Sequence, residues 1–375
     1  MPPEMPPTMT PNSQSDSIDS PPIRVKFLSK AQSADRDYDR WLRRLPGHGN
    51  RWQNCEFVFE QDCRDYDWLV VYDDLPRKPD SRHPLWEEIL ACPRDRTLLM
   101  TTEPSSIKLY GRAFLRQFGW VLTSQEPHFI RHPGMILRQA GLVWFYGLTD
   151  ERGTYDHLAA VTEPPAKSAS ISTVCSAKQM RHTLHQNRVE FTRALKEALP
   201  ELDVFGQGVR PIADKADALA PYRYHLAIEN HVCPHHWTEK LADPFLAWCL
   251  PIYAGCPNAA DYFPEESFIP IDIHQFGATQ ERIAKAIRDD EYTRRLPAIR
   301  EARRLALEEY ATFPQLARLI TERHANPTST QPGEAILSRH LWRRRHPLGA
   351  LALGLEKAAV QVSNRLTLKK FTPNS

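Results

Sequence analysis

The sequence has no CxxC pair, no hydrophobic run long enough to cross a bilayer, and no marked excess of either charge. Its seven cysteines (Cys55, Cys63, Cys92, Cys175, Cys233, Cys249 and Cys256) are odd in number and scattered. They read as small buried hydrophobes in a reducing compartment. Lys and Arg number 48 and Asp and Glu 46, a formal net charge of +2. There is thus no global pull towards nucleic acid, and any electrostatic function must come from local clusters. The GxxxxGK[ST] and G-x-S-x-G motifs are both missing, so P-loop and serine-hydrolase chemistry lack their signatures. No internal repeat is visible. Residues 1–22 are rich in Pro, Ser and Thr, with no basic start and no apolar core. They are expected to form a disordered tail and do not read as a secretory signal.

What is present is an ordinary globular composition, 41% hydrophobic and 25% charged over 375 residues, enough for two cores. Ile23 to Leu28, Trp68 to Tyr72, Thr97 to Thr102 and Trp120 to Thr123 read as strands, and the apolar, aromatic stretch Val143 to Gly147 begins the passage towards the second half. A second series follows: a strand at Ile171 to Val174, a helix over Met180 to Leu199, and strands at Leu202 to Phe205, Tyr222 to Ile228, Leu250 to Ala254 and Ser267 to Asp272. A charged helical region covers about 279 to 317. Two βα series joined near residue 160 predict an α/β protein with two Rossmann-like domains facing a cleft, at 23–160 and 161–326. Residues 327–375 form a separate basic C-terminal segment.

The most informative stretch is Tyr222-Arg223-Tyr224-His225-Leu226-Ala227-Ile228-Glu229-Asn230. Trp237-Thr238-Glu239-Lys240-Leu241 and Leu250-Pro251-Ile252-Tyr253-Ala254-Gly255 follow it. It reads as strand, loop, helix, strand, with polar groups at the carboxyl ends of parallel strands, where such folds bind ligands. Lys240 falls at a helix start with Thr238 as a possible N-cap, and Arg188 offers a planar fork. Together they suit a diphosphate whose charge grows as a bond breaks. Glu239 would meet hydroxyls of a ribose or sugar, and Glu229 and Asn230 would bind sugar hydroxyls or orient Lys240. Taken alone, Glu239-Lys240 could equally be a solvated helix pair and Arg188 a surface arginine.

The order of these words resembles the C-terminal block of family 10 glycosyltransferases, the α-1,3-fucosyltransferases. That family has a phrase like Tyr-Lys-Phe-x-Leu-x-Phe-Glu-Asn, then Thr-Glu-Lys, then Pro-Ile/Val-x-x-Gly and Ser-Phe-Ile. Here the counterparts are Tyr222 to Asn230, Thr238-Glu239-Lys240, Pro251 to Gly255 and Ser267-Phe268-Ile269, with Asp203-Val204-Phe205-Gly206 before them. Arg188 aligns with the family's phosphate-binding arginine. Ile228 replaces a Phe, and His236 stands where relatives carry a Tyr near the nucleotide. The resemblance covers about residues 170 to 275 and is specific as a set of words. It implies a GT-B fold of bacterial type, GDP-fucose as donor, and a glycan acceptor such as a surface polysaccharide or lipopolysaccharide. No cofactor is required, Arg and Lys supplying the charge, with Mn²⁺ or Mg²⁺ at most an activator.

An inverting transfer needs a carboxylate opposite the diphosphate to take the acceptor's proton. Glu103, at the exit of the strand ending at Thr102, fits both that demand and a catalytic Glu in similar enzymes. Glu126 and the Asp73-Asp74 pair compete for the role. His231, Cys233, His235 and His236 invite a zinc reading, but Pro234 breaks any helix that would align them and no second ligand pair stands out, so no metal site is expected. In the C-terminal segment Arg343-Arg344-Arg345 precedes an apolar stretch from Leu348, with Lys369-Lys370 further on. The pattern fits peripheral contact with an anionic membrane surface from the cytoplasmic side, against a solvated tail or a docked helix. Without interleaved aromatics it does not support RNA binding. Two other readings stay open: a transferase using another nucleotide sugar, and a catalytically silent glycan-binding protein.

Overall fold

The computed structural model describes residues 21–30, 38–77, 81–175, 185–326, 331–351 and 353–354. Nearly all of the expected N-terminal tail, residues 180–184 of the expected helix, and the Lys369-Lys370 pair lie outside them.

The first lobe contains strands β1 (Ile23–Ser29), β2 (Arg51–Trp52), β3 (Cys55–Val58), β4 (Trp68–Tyr72), β5 (Glu87–Ile89), β6 (Thr97–Met100), β7 (Trp120–Thr123) and β8 (Met135–Leu137). Seven form one sheet in the order β2-β3-β1-β4-β6-β7-β8, parallel except at β2. Alternation divides the strand residues between two cores. Val25, Phe27, Trp68, Val70, Leu98 and Met100 face one way, and Leu28, Leu69, Val71, Leu99 and Val121 the other. Helices α1 (Asp39–Leu42), α2 (Arg112–Leu115) and α3 (Tyr155–Ala160) are short.

The second lobe contains β9 (Ala169–Val174), α4 (His185–Ala198), β10 (Leu202–Phe205), β11 (Tyr222–Ile228), α5 (Glu239–Leu246), β12 (Leu250–Ala254), β13 (Ile269–Pro270), α6 (Phe276–Arg288) and α7 (Glu291–Glu308). Its sheet is wholly parallel in the order β10-β9-β11-β12-β13. Each lobe therefore reverses strand order once, between β1 and β4 and between β9 and β11. In doubly wound sheets the crevice for a ligand opens at such a reversal, at the carboxyl ends of the strands. One face of the second sheet packs Ile171, Leu226, Ile228 and Ile252 against Phe191 and Leu195 of α4 and Ile283 of α6. The other packs Ala227 and Tyr253 against Leu241 and Phe245 of α5. Each large apolar side chain buried this way contributes about 1.5–3 kcal/mol.

Val143 to Gly147 is the expected passage towards the second half: its backbone N–H groups turn to buried carboxylates, Phe145 to Asp243 at 3.0 Å and Gly147 to Asp214 at 2.8 Å, while Trp144 and Tyr146 join the core around Ala227 and Phe245. Two expectations change. Helix α8 (Thr312–His324), placed with the second domain by sequence order, instead buries Phe313, Leu316, Leu319 and Ile320 in the first-lobe core. The C-terminal segment is docked rather than solvated up to α9. Strand β14 (Ala335–Leu337) pairs antiparallel with β5, and α9 (Arg339–Arg345) follows. Arg339 donates to Asp74 and to the Leu109 carbonyl, and Arg345 grips Glu87 through two bonds of 2.7 and 2.6 Å.

Candidate functional site

In the second lobe the site grows from the end of β11. The Glu229 N–H donates to the Ala254 carbonyl at 2.8 Å, which carries the pairing with β12 one residue past the strand. Its side chain is 1% exposed and turned into the protein. There it accepts from the Thr238 N–H and hydroxyl, both at 2.9 Å, and lies 3.5 Å from Lys240 Nζ. Burial pushes the Glu229 carboxyl up, against the pull of Lys240. Of the two roles foreseen for Glu229, the geometry matches orientation of Lys240. Gly255 makes this packing possible: a Cβ there would stand 2.4 Å from Tyr253 Oη and 2.5 Å from Glu229 Cγ.

Thr238 caps α5, accepting from the Lys240 N–H at 3.3 Å. Lys240 Nζ also lies 3.1 Å from Glu239 Oε1. Burial alone would lower the lysine, but Glu239 and Glu229 outweigh it and raise it above its ordinary value. Burial likewise acts to raise Glu239, yet Lys240 and Lys215 hold it down to about 2. The pair is thus firmly ionised, with both side chains still partly exposed.

Arg188 projects from α4 to the end of β11, where its Nη1 reaches the Ile228 carbonyl at 3.4 Å. It is 7% exposed and its Nε is buried without a hydrogen-bond partner. A nearly buried guanidinium with unspent donors, close enough to Lys240 to influence its charge, is suited to an anion. The Oδ1 of Asn230, the residue after Glu229, is likewise buried and unpartnered.

His236 behaves differently from a nucleotide-stacking aromatic. It is 7% exposed, its Nδ1 is 3.2 Å from the Ser124 hydroxyl of the first lobe, and burial, with His231 and Lys240 nearby, drops it to about 3. It is a neutral bridge between lobes.

The first lobe presents Asp73, Asp74 and Glu103 at the ends of β4 and β6. Asp73 holds a left-handed backbone (φ 73°), secured by Lys30, Lys108 and the Tyr110 hydroxyl. Burial acts to raise its carboxyl, but Lys108 and these hydrogen bonds bring it to about 2, too low for a useful base. Asp74 is 3% exposed and spent on the N–H groups of Leu75 and Arg339. Glu103 is half-buried. Burial first, then the Asp73 charge, raises its carboxyl, while Lys30, Lys108 and Lys240 pull the other way. Glu103 and Lys240, from opposite lobes, are therefore within electrostatic reach. Glu126 faces the inter-lobe loop instead, 3.6 Å from His231.

The carboxyl ends of the two sheets thus meet across one cleft, bridged by Ser106 to His231 at 3.1 Å and by Ser124 to His236. Sequence reasoning missed this serine contribution because lone serines carry no spacing signal. A cavity of about 660 Å³ lies apart from this cleft, lined by Asp39, Arg43, His48, Asp150 and Asp156 among others, and holds none of these groups.

The similarities of the chain fall on the same region. Residues 164–293 match the family described as glycosyltransferase family 10 (fucosyltransferase) C-term. A 4-galactosyl-N-acetylglucosaminide 3-alpha-L-fucosyltransferase of Pongo pygmaeus is 33% identical over 94 residues, 24% of this chain and 26% of that protein. A 3-galactosyl-N-acetylglucosaminide 4-alpha-L-fucosyltransferase of Pan troglodytes is 28% identical over 118 residues, 30% of this chain and 31% of that protein. The matches therefore span only about a quarter to a third of these curated relatives. A crystal structure of an alpha1,3-fucosyltransferase has the same fold, with TM-score 0.50 and 15% identity over 83% of this chain and 92% of that one. Its form with GDP superposes equally, over 83% and 93%. The two lobes thus have the GT-B architecture, and the region 164–293, which holds Arg188, Glu229, Asn230, Glu239 and Lys240, is similar to the C-terminal domain of family 10 glycosyltransferases.

Proposed function

We propose that the chain is an inverting glycosyltransferase that moves fucose from GDP-fucose to a hydroxyl of a glycan, a bacterial surface polysaccharide or lipopolysaccharide. In this reading Glu103 takes the proton of the acceptor hydroxyl. The freed oxygen attacks the anomeric carbon from the face opposite the leaving group, and the bond to GDP breaks. Arg188 and Lys240 stabilise the charge that collects on the departing diphosphate. Glu229 orients Lys240 through Thr238, and Glu239 and Asn230 meet donor hydroxyls. A divalent metal is not required, Mn²⁺ or Mg²⁺ acting at most as activators. The observation that carries the reading is that Glu103 of one lobe and Lys240 of the other lie on the same cleft, near enough for the lysine charge to act on the glutamate.

A second reading, a different nucleotide sugar, is favoured by His236, which is buried against Ser124 rather than open to a base. The test is turnover of the full chain with a panel of nucleotide sugars and a lactosamine acceptor. Fucosylated product from GDP-fucose alone supports the first reading, and product from another donor the second. Binding of glycan with neither transfer nor donor hydrolysis leaves a silent glycan-binding protein.

For location, we propose peripheral contact with an anionic membrane on the cytoplasmic side. It is supported by the exposed Arg344 beside Leu348 and Leu351, which are 85% and 70% exposed. No helix among the described residues is long and apolar enough to cross a membrane. Cosedimentation with anionic but not neutral vesicles is the expected result, and equal partition would reject it.

A further inference from the structure

The loop between β11 and α5 holds a chemistry that the transfer mechanism does not use. Glu126, His231 and Cys233 bring a carboxylate oxygen, an imidazole nitrogen and a thiol sulfur to within 4.8 Å of one another. Glu126 follows β7 of the first lobe, whereas His231 and Cys233 follow β11 of the second. The His231 Nε2 to Glu126 Oε1 separation is 3.6 Å. Two ligands bound to tetrahedral zinc at about 2.0–2.1 Å stand roughly 3.4 Å apart, so that edge is already close to length.

Apart from the 3.6 Å approach of His231 Nε2 to Glu126 Oε1, two of the three groups have atoms with no hydrogen bond. His231 Nε2 and Glu126 Oε2 are both buried and make no hydrogen bond. An unsatisfied buried polar atom costs about 1–3 kcal/mol, and two in one small space call for a common explanation. The other ring nitrogen of His231 sits 3.1 Å from the Ser106 hydroxyl, which sets the ring and leaves Nε2 directed at the gap. Metal-bound histidines are held in this way by a partner on their far nitrogen. Cys233 Sγ has only the Ser124 carbonyl, at 3.6 Å.

We propose that Glu126, His231 and Cys233 bind one divalent ion of zinc type, with solvent in the fourth position, and that the ion clips the β11–α5 loop to the first lobe. The mixed oxygen, nitrogen and sulfur set suits a borderline-soft ion rather than Mg²⁺ or Ca²⁺. The side chains of Glu126 and His231 are 22% and 16% exposed, so solvent can reach the site. The other histidines of the loop are otherwise engaged: His235 bonds the Tyr262 hydroxyl at 2.7 Å, and His236 bonds Ser124. The loop's own sequence hides the site because its third ligand arrives from the other lobe, 105 residues earlier than His231. The site stands independently of the transferase reading.

The test strips the full-length protein with chelator and titrates it with Co²⁺, then displaces cobalt with Zn²⁺. One equivalent should bind, giving four-coordinate visible bands and a near-ultraviolet thiolate-to-cobalt band, both lost when zinc replaces it. Cys233→Ser should lose the thiolate band. His231→Ala and Glu126→Gln should each weaken binding by about 10–100-fold, the scale of losses at metal sites. No thiolate band in the wild-type protein at one equivalent would overturn the site. Wild-type affinity in Glu126→Gln, an isosteric change with folding checked by circular dichroism, would overturn the clip between lobes.

Discussion

Lys240 is the residue whose removal separates a ligand-binding role from a structural one. In Lys240→Met, Glu229 stays 1% exposed and keeps the Thr238 N–H and hydroxyl, but loses its cation at 3.5 Å. At an effective dielectric of 20 that pair has a gross attraction of about 5 kcal/mol. The full sum is never lost, because Glu229 can escape by taking a proton. From its ordinary value of 4.5, protonation at pH 7 costs no more than about 3.4 kcal/mol, and burial already pushes its carboxyl upwards, which makes the escape easier. The Glu229 share of the stability loss is therefore bounded at about 3 kcal/mol at pH 7, with the loss of the Lys240–Glu239 pair adding to it. Its pH dependence has a definite sign. A carboxyl whose folded value lies above its unfolded value loses stability as pH rises past the unfolded value, so the deficit should be near its largest at pH 7 and shrink towards pH 5. Urea unfolding at the two pH values measures this. Over the same range GDP affinity, read by calorimetry, should fall by about 10–150-fold, the equivalent of one charge-assisted phosphate contact at 1.5–3 kcal/mol. A GDP affinity within twofold of wild type, together with the expected stability loss, would refute the phosphate role and leave Lys240 as a partner of Glu229 and Glu239.

Other outcomes follow from the same geometry. Glu103→Gln should abolish transfer while GDP affinity changes little; near-normal turnover would remove Glu103 from the mechanism. Because burial and Asp73 raise Glu103, the acid limb of the pH–rate profile should lie above the ordinary glutamate value and move down in Asp73→Asn. Gly255→Ala should cost about 1–3 kcal/mol through overpacking and also weaken GDP binding, since the new Cβ displaces Glu229; unaltered melting and affinity would contradict the close approach. His225 and His236 are both held near 3 by burial. Each binds its proton in the unfolded chain from about pH 6.5 downwards but not in the folded one. Stability should therefore fall below that pH by about 1.4 kcal/mol per unit for each. A flat unfolding profile from pH 7 to pH 5 would reject this.

The legible parts of the molecule were those with local signals. Trp68 to Tyr72 and Trp120 to Thr123 are continuous apolar runs, and they form strands with those limits. Thr238 before Glu239-Lys240 is an N-cap pattern, and it caps α5. The illegible parts depend on distant partners. Val143 to Gly147 is visibly apolar and aromatic, but nothing local shows that two carboxylates far along the chain, Asp214 and Asp243, take the N–H groups of Phe145 and Gly147. The apolar face of α8 looks the same whichever lobe it covers, so its return to the first core has no sequence signature. In the site, the burial of Glu229 and the neutrality of His236 come from packing, not from residue type. Glu126 joins His231 and Cys233 only once the lobes are apposed.

The return of α8 and β14 to the first lobe reverses the order in which the lobes can mature. Everything in the second core that includes Trp144, Phe245 and Ala311 is supplied by a continuous stretch of chain. The first sheet, although synthesised earlier, keeps Phe27, Phe57 and Val70 without part of their cover until Phe313 to Ile320 leaves the ribosome. The lobe made first is thus completed last, and shortening the chain ahead of α8 would unseat the half that presents Glu103 while leaving the Arg188–Lys240 half whole.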